Sequence, residues 1–372
     1  MKRSLTLPLL SAALVAACGV AIVAVFLPVP TPSGATVSPL VQAEFRVAWR
    51  VPLIARAERP CPVVDGWVVA DAAGGVMKVT LAGRVQWRVA FSNEVFVGGV
   101  EASASRVAVA SEGGRVFCLD SATGGTIWKR DTDARFQHAP LAGFRNGESV
   151  LWLVSQEDGR LFCLSGSDGS VIWVTEATNR CDGEPVAWSG RIAYGNCDGA
   201  VYLYDSMTGK SKGSVEVGAD DQMAGGIVAL ESGRLVTGTR SGSLVVINPE
   251  TLSCEAKVKV SESEAFVTPA VLSSGVIAMG SEEGQVTLWR LNGQVLSQVG
   301  CFTAGTAVKG LESVNGRFFA LAGATLSVID SLGRLVQQMS LGDDVGRLSV
   351  LATGELACVA DGALVCVKGG DR

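Results

Sequence analysis

Of the side chains able to carry chemistry, histidine is the scarcest: His138 is the only one among 372 residues. A single imidazole cannot build a multi-histidine metal site. No local motif marks the nucleophile and orienting acid that a Ser/His/Asp triad would add to it. His138 precedes Ala139-Pro140 at the start of an apolar run and reads as a structural or surface residue. The chain has no Gly-x-x-x-x-Gly-Lys-Ser/Thr phosphate loop, and its ten cysteines include no CxxC pair. No catalytic residue, metal centre or cofactor is therefore expected.

Two other residue classes could do work. Eight tryptophans could stack a planar ligand. Paired carboxylates at Asp220-Asp221, Glu282-Glu283 and Asp343-Asp344 could steer a basic partner or hold a hard cation through oxygen ligands. The formal charge is −5 and no run of Lys and Arg occurs, so a nucleic-acid partner is set aside. With 48% hydrophobic and 18% charged residues, the chain is too apolar for disorder.

The elements that must position these residues follow from a repeat. A phrase of Gly, a variable residue and alternating apolar positions begins at Gly75, Gly114, Gly159, Gly199, Gly242, Gly284, Gly323 and Gly362, with a mean spacing of 41 residues. The clearest copies run from Gly114 to Trp128 and from Gly159 to Trp173. Each reads as strand, turn, strand: the apolar period is two, the residues are β-branched or aromatic, and Asp-x-x-Thr-Gly supplies a turn acceptor and a Gly able to take φ > 0. Two further short apolar runs precede each phrase, giving four strands per unit. Eight such units fill residues 45–372 and predict an all-β, eight-bladed β-propeller of four-stranded antiparallel blades. The eighth phrase stops before its fourth strand, and Arg46 to Val51 matches Val85 to Val89 in pattern, so the N-terminal strand should complete the last blade and close the ring.

This frame assigns the remaining residues. Trp87, Trp128 and Trp173 each lie four residues after a turn Gly and are expected in the seams between blades, with Gly213, Ser297 and Gln337 taking that place later. Cys118, Cys163 and Cys366 each fall four residues after their repeat Gly and are read as core. Cys181 and Cys197 should meet across the hairpin about Ser189-Gly190, and Cys358 and Cys366 about Gly362, as disulfide candidates in an oxidising compartment. In a propeller the loops joining strands two and three, and those joining consecutive blades, share one face. Those loops carry Glu112, Glu157, Asp158, Asp182, Asp198, Asp220, Asp221, Glu282, Glu283, Asp343, Asp344 and Asp361 against Arg135, Arg180 and Arg240, so that face should be negative.

Lys2 and Arg3 precede an uncharged stretch from Leu5 to Leu27, long enough to span a bilayer. Residues 1–27 are read as a signal anchor or signal peptide that places the rest outside the cytoplasm. Val15-Ala16-Ala17-Cys18 resembles a lipoprotein box and makes Cys18 a lipidation candidate. Residues 28–44 form a Pro-rich spacer.

The phrase Gly-x-Val-Phe-Cys-Leu-Asp-x-x-Thr-Gly-x-x-x-Trp resembles the repeat of pyrroloquinoline-quinone-like (PQQ-like) propellers. Eight blades behind an N-terminal membrane signal are similar to the BamB-like branch. That resemblance implies a monomeric, non-catalytic periplasmic scaffold whose protein partners belong to an outer-membrane assembly complex, with the membrane reached through the N-terminal segment. The alternatives are a ligand- or carbohydrate-binding sensor propeller and, behind it, a PQQ-dependent dehydrogenase. The alcohol dehydrogenase branch carries adjacent cysteines, which this sequence lacks.

Overall fold

The computed structural model describes residues 45–369, apart from 219, 220, 224, 266 and 344. The segment 1–27 with Cys18, the spacer, Asp220 and Asp344 thus lie outside the described residues. Among those described, no helix is long and apolar enough to cross a membrane.

The described chain forms eight four-stranded antiparallel sheets arranged as a propeller. Blades 1 to 7 span 61–90, 100–131, 141–174, 186–216, 227–259, 270–303 and 308–340. Blade 8 takes three strands from 348–369 and its fourth from Phe45–Pro52, which pairs antiparallel with Ala363–Gly369. The first strands of neighbouring blades lie side by side around the channel. Second and third strands, such as Arg106–Ala110 and Arg115–Asp120, are buried almost throughout. A blade covered on both sides needs apolar residues on both faces of its central strands. The fourth strand, such as Thr126–Asp131, is largely exposed and keeps one buried Trp. Each of eight apolar cores lies at one seam between neighbouring blades.

The repeat signals have direct structural causes. Seven repeat glycines from Gly114 to Gly362 have positive φ, while the first unit passes that role from Gly75 to Gly74. A Cβ on Gly114 would lie 2.4 Å from the Ala134 carbonyl oxygen in the loop to the next blade. Asp120 Oδ1 accepts from the amides of Ala122 and Thr123 and from the Thr123 hydroxyl, and Asp205 repeats the arrangement with Met207 and Thr208.

Tryptophans clasp four consecutive seams. Trp49, Trp87, Trp128 and Trp173 donate their indole N–H to the carbonyls of Leu81, Ser121, Gly166 and Met207 in the third-to-fourth-strand turn of the next blade. Each ring also lies against that turn's glycine: a Cβ on Gly83, Gly124, Gly169 or Gly209 would approach it to 2.5–2.7 Å. In the register these tryptophans face Cys366, Lys78, Cys118 and Cys163, beside a one-residue bulge that recurs in every blade.

The same position is held later by Gly213, Ala256, Gly300 and Gln337. Gly300 corrects the expected Ser297, because the Asn292-Gly293 hairpin of blade 6 pairs right up to its turn and displaces the position by three residues. Gly213 receives Leu252 of blade 5, and Gly300 abuts the Leu332 carbonyl of blade 7. Gln337 accepts from the Phe45 amide and donates to the Phe45 carbonyl, both at 2.7 Å, fixing the closing strand to blade 7.

A second correction concerns Cys358 and Cys366. Cys358 pairs with Val365 and Cys366 with Ala357, so the two cysteines are one register step apart and their side chains project from opposite faces of the blade. A bridge between them does not fit this sheet.

Candidate functional site

Where loops enter the first strands, charged and polar residues from most of the blades meet across the channel and form a neck. Arg59, His138, Glu184, Thr268, Lys309 and Arg347 come from blades 1, 3, 4, 6, 7 and 8. Proline follows at or near several of these positions, at Pro60, Pro140, Pro185 and Pro269, and sets the chain extended as it enters the strand. Glu184 is the hub. Its Oε1 pairs with Arg347, while its Oε2 accepts from the Thr268 hydroxyl at 3.2 Å and lies 3.8 Å from Arg59. Blades 4 and 8 are diametrically opposed in an eight-bladed ring, so the Glu184–Arg347 pair crosses the channel axis. Arg59 continues the network to Glu312 at 2.7 Å and to the Ser349 hydroxyl at 3.1 Å.

Burial and charge compete at this neck. Burial works against the Glu184 carboxylate, yet Arg347 and Arg59 hold it below the usual carboxylate range. Glu312 is pushed up to about 7 by burial, with Arg59 opposing and Glu184 adding to the shift. Glu101, on the first strand of blade 2, is also pushed up to about 7 by burial, against Arg59. Burial lowers the pKa of His138, and Arg347 adds to the effect against Glu184. Its Nε2 is buried without a hydrogen-bond partner among the described residues. Sequence reasoning placed His138 at a strand start but missed its neighbours at the neck. The recurring residue-before-proline was the available signal.

Cavities lie on both sides of this tie. One of about 490 Å³ opens among the loops of one face and is lined by Arg56, Arg59, Glu112, His138, Asp182 and Arg347. Beyond the neck, cavities of about 350 and 660 Å³ follow the first strands toward the other face.

Those of the predicted acidic residues that are described lie on the face carrying the second-to-third-strand and blade-to-blade loops, but they do not gather into one site. Asp221 is buried rather than displayed: it accepts from the Ser241 amide and hydroxyl and pairs with Lys257 at 2.7 Å, which makes it a brace between blades 4 and 5. Glu112 and Glu157 share Arg135, and Arg180 holds Asp182. Glu282, Glu283 and Asp343 are exposed and have no ion-pair partner among the described residues. Among those residues no group of three His, Cys, Asp or Glu side chains is placed to hold a metal ion.

Cys181 and Cys197 come side by side, with the Cys197 amide donating to the Arg180 carbonyl at 2.9 Å. The hairpin has the anticipated register, pairing Val186 with Ala193 and Trp188 with Arg191. Both side chains are free thiols. Cys181 Sγ donates to the Gly183 and Gly195 carbonyls, and Cys197 Sγ to Asp182. Burial and Asp182 push the Cys197 thiol up to about 11.

With the blades and neck defined, comparison with known proteins decides the family. The family described as "Outer membrane protein assembly factor BamB" matches residues 64–222 and 143–262, together more than half of the chain. The chain belongs to the BamB family. None of the curated proteins matches it. Among solved structures, BamB from Moraxella catarrhalis is similar with a TM-score of 0.74 and 18% identity, covering 89% of this chain and 99% of that one. The computationally designed Ika8 protein follows at 0.70 and 15% identity, covering 86% and 98%. A europium-containing methanol dehydrogenase aligns at 0.68 and 12% identity, covering 86% and 85%. At these identities the structural likenesses establish the fold alone.

Proposed function

We propose that this member of the BamB family is a non-catalytic protein-interaction scaffold of the cell envelope that serves outer-membrane protein assembly, held at the membrane by its N-terminal segment and using no cofactor. The family match over blades 1 to 5 carries this reading. The loop-bearing face supports it by displaying Glu282, Glu283 and Asp343, available to a basic partner surface. The neck supports the absence of quinone chemistry: Glu184, Arg347 and Arg59 already occupy the axis and satisfy one another.

The test is affinity purification of the full-length protein from gently solubilised membranes, with mass spectrometry of what stays bound. A barrel-assembly protein is expected, and Glu282→Lys, Glu283→Lys and Asp343→Lys together should reduce its recovery. Recovery of no barrel-assembly protein contradicts the reading.

A further inference from the structure

Each blade carries one pair of facing residues, one on its second and one on its third strand, at the level of the recurring bulge. In blade 1 the pair is Val68 and Lys78, and in blade 3 it is Trp152 and Cys163. Lys78 reaches across its seam to the Ser121 carbonyl, and Trp152 reaches across to the Ser206 carbonyl. Blade 2 has Ala108 and Cys118, both small. Blade 8 also has a small pair, Ala357 and Cys366, but there Trp67 of blade 1 fills the seam. The counterpart of Trp67 in blade 3 is the smaller Leu151, since Trp67 faces Val79 as Leu151 faces Leu164. The blade 2–3 seam therefore keeps a cavity of about 260 Å³.

Ala108, Cys118, Ala142 and Leu151 form its apolar wall, Arg106, Ser105 and Ser149 supply polar groups, and the carboxyl of Glu101, which burial pushes up to about 7, also lines it. Phe144 stands at the rim with 73% of its surface exposed, which is unusual for a phenylalanine on a strand. Arg106 donates to the Gly166 carbonyl and has no carboxylate at ion-pair distance among the described residues. The cavity opens beside the first-to-second and third-to-fourth-strand turns, on the face opposite Glu282 and Asp343.

We propose that this inter-blade pocket is a second docking site, which takes one aromatic side chain of an extended partner segment whose neighbouring acidic residue meets Arg106. Size argues for a single side chain. A cavity of about 150 Å³ holds benzene, and sites for drug-sized ligands begin near 300 Å³. Charge argues for the acid: a half-buried guanidinium that meets the Gly166 carbonyl and the Cys118 thiol, and no carboxylate at ion-pair distance among the described residues, has donors left for one. The exposed Phe144 ring extends the apolar contact beyond the pocket, in the manner of an anchor residue at an interface centre. The proposal deepens the scaffold reading by adding a contact on the other face, and its test does not involve the loop-bearing face.

The probes are the short peptides acetyl-Asp-Phe-amide, acetyl-Asn-Phe-amide and acetyl-Asp-Ala-amide, titrated into the full-length solubilised protein by calorimetry. Saturable one-to-one binding of the first is expected. The Asn peptide should bind about ten-fold more weakly through loss of the charged hydrogen bond, and the Ala peptide should not bind measurably. Ala108→Leu fills the pocket and should abolish binding. Phe144→Ser, at an exposed position that cannot unfold the blade, should weaken it several-fold, and Arg106→Gln should remove the preference for Asp over Asn. Absence of saturable binding by the Asp-Phe peptide, or binding that survives both Ala108→Leu and Phe144→Ser, overturns the proposal.

Discussion

The ring joins its blades in two ways. From blade 8 through blade 4, each fourth strand sends a tryptophan onto the next blade's turn, where the ring covers a glycine and the indole N–H reaches a carbonyl. From blade 4 to blade 8 the same register position holds Gly213, Ala256, Gly300 and Gln337. There the next blade reaches back instead, through Leu252 at Gly213 and the Leu332 backbone at Gly300. Apart from Gln337, which holds Phe45 by hydrogen bonds, one seam geometry thus has two solutions. A large residue meets a turn without a Cβ, or a residue with little or no side chain admits the neighbour. What must be conserved is the summed volume at the contact, so a motif built on tryptophan fades along the chain while the fold does not.

The closing strand is shared by both systems, and the largest effect is expected there. Deleting residues 45–51 removes Trp49 and the Phe45 partner of Gln337 together. We expect the melting temperature to fall by more than about 10 °C, followed by circular dichroism. An unchanged melting curve would sink the closure by this strand. Next comes Trp128→Ala, which empties a clasp and should cost about 3–5 kcal/mol in denaturant unfolding. Gln337→Ala removes two hydrogen bonds to Phe45 and should cost about 1–2 kcal/mol.

The neck links the two halves, because Arg59 and Arg347 belong to blades 1 and 8 while Glu184 and Glu312 belong to blades 4 and 7. A carboxyl whose pKa is raised on folding, as Glu312 is to about 7, stabilises most below its unfolded pKa and loses that contribution as pH rises through about 7. Glu312→Gln should therefore gain on the parent, by on the order of 1 kcal/mol, between pH 5 and pH 8. His138, whose lowered pKa acts in the opposite sense, is present in both proteins and drops out of the difference. A parallel pair of stability–pH curves would remove the burial of Glu312 from the account. Leu252→Ala is the mildest change, at under about 1 kcal/mol, since Leu252 is partly exposed. A loss as large as that at Trp128 would mean that both kinds of seam depend on one large side chain.

The glycines, the Asp-x-x-Thr-Gly turns and the seam tryptophans were legible in the sequence because each acts within a few residues and recurs at a fixed offset. The closing strand was legible because it carries the pattern of the strand it replaces. The neck was not, since Glu184 and Arg347 are 163 residues apart and meet only when the ring closes. The Cys358–Cys366 expectation failed by a single register step, which a hairpin about one Gly cannot fix from spacing alone. Asp221 reads as a loop carboxylate, and only Lys257 across the seam shows it to be a brace. The blade 2–3 pocket depends on what Ala108 and Cys118 lack together, a property of two strands rather than of either.

The proposed scaffold role places a protein partner of the barrel-assembly machinery on the loop-bearing face. Hydrogen exchange of the full-length protein, alone and bound to the barrel-assembly protein recovered with it, tests this most directly. Protection is expected at the loops containing Glu282, Glu283 and Asp343. Amides on that face that exchange equally fast in the complex and alone would contradict it.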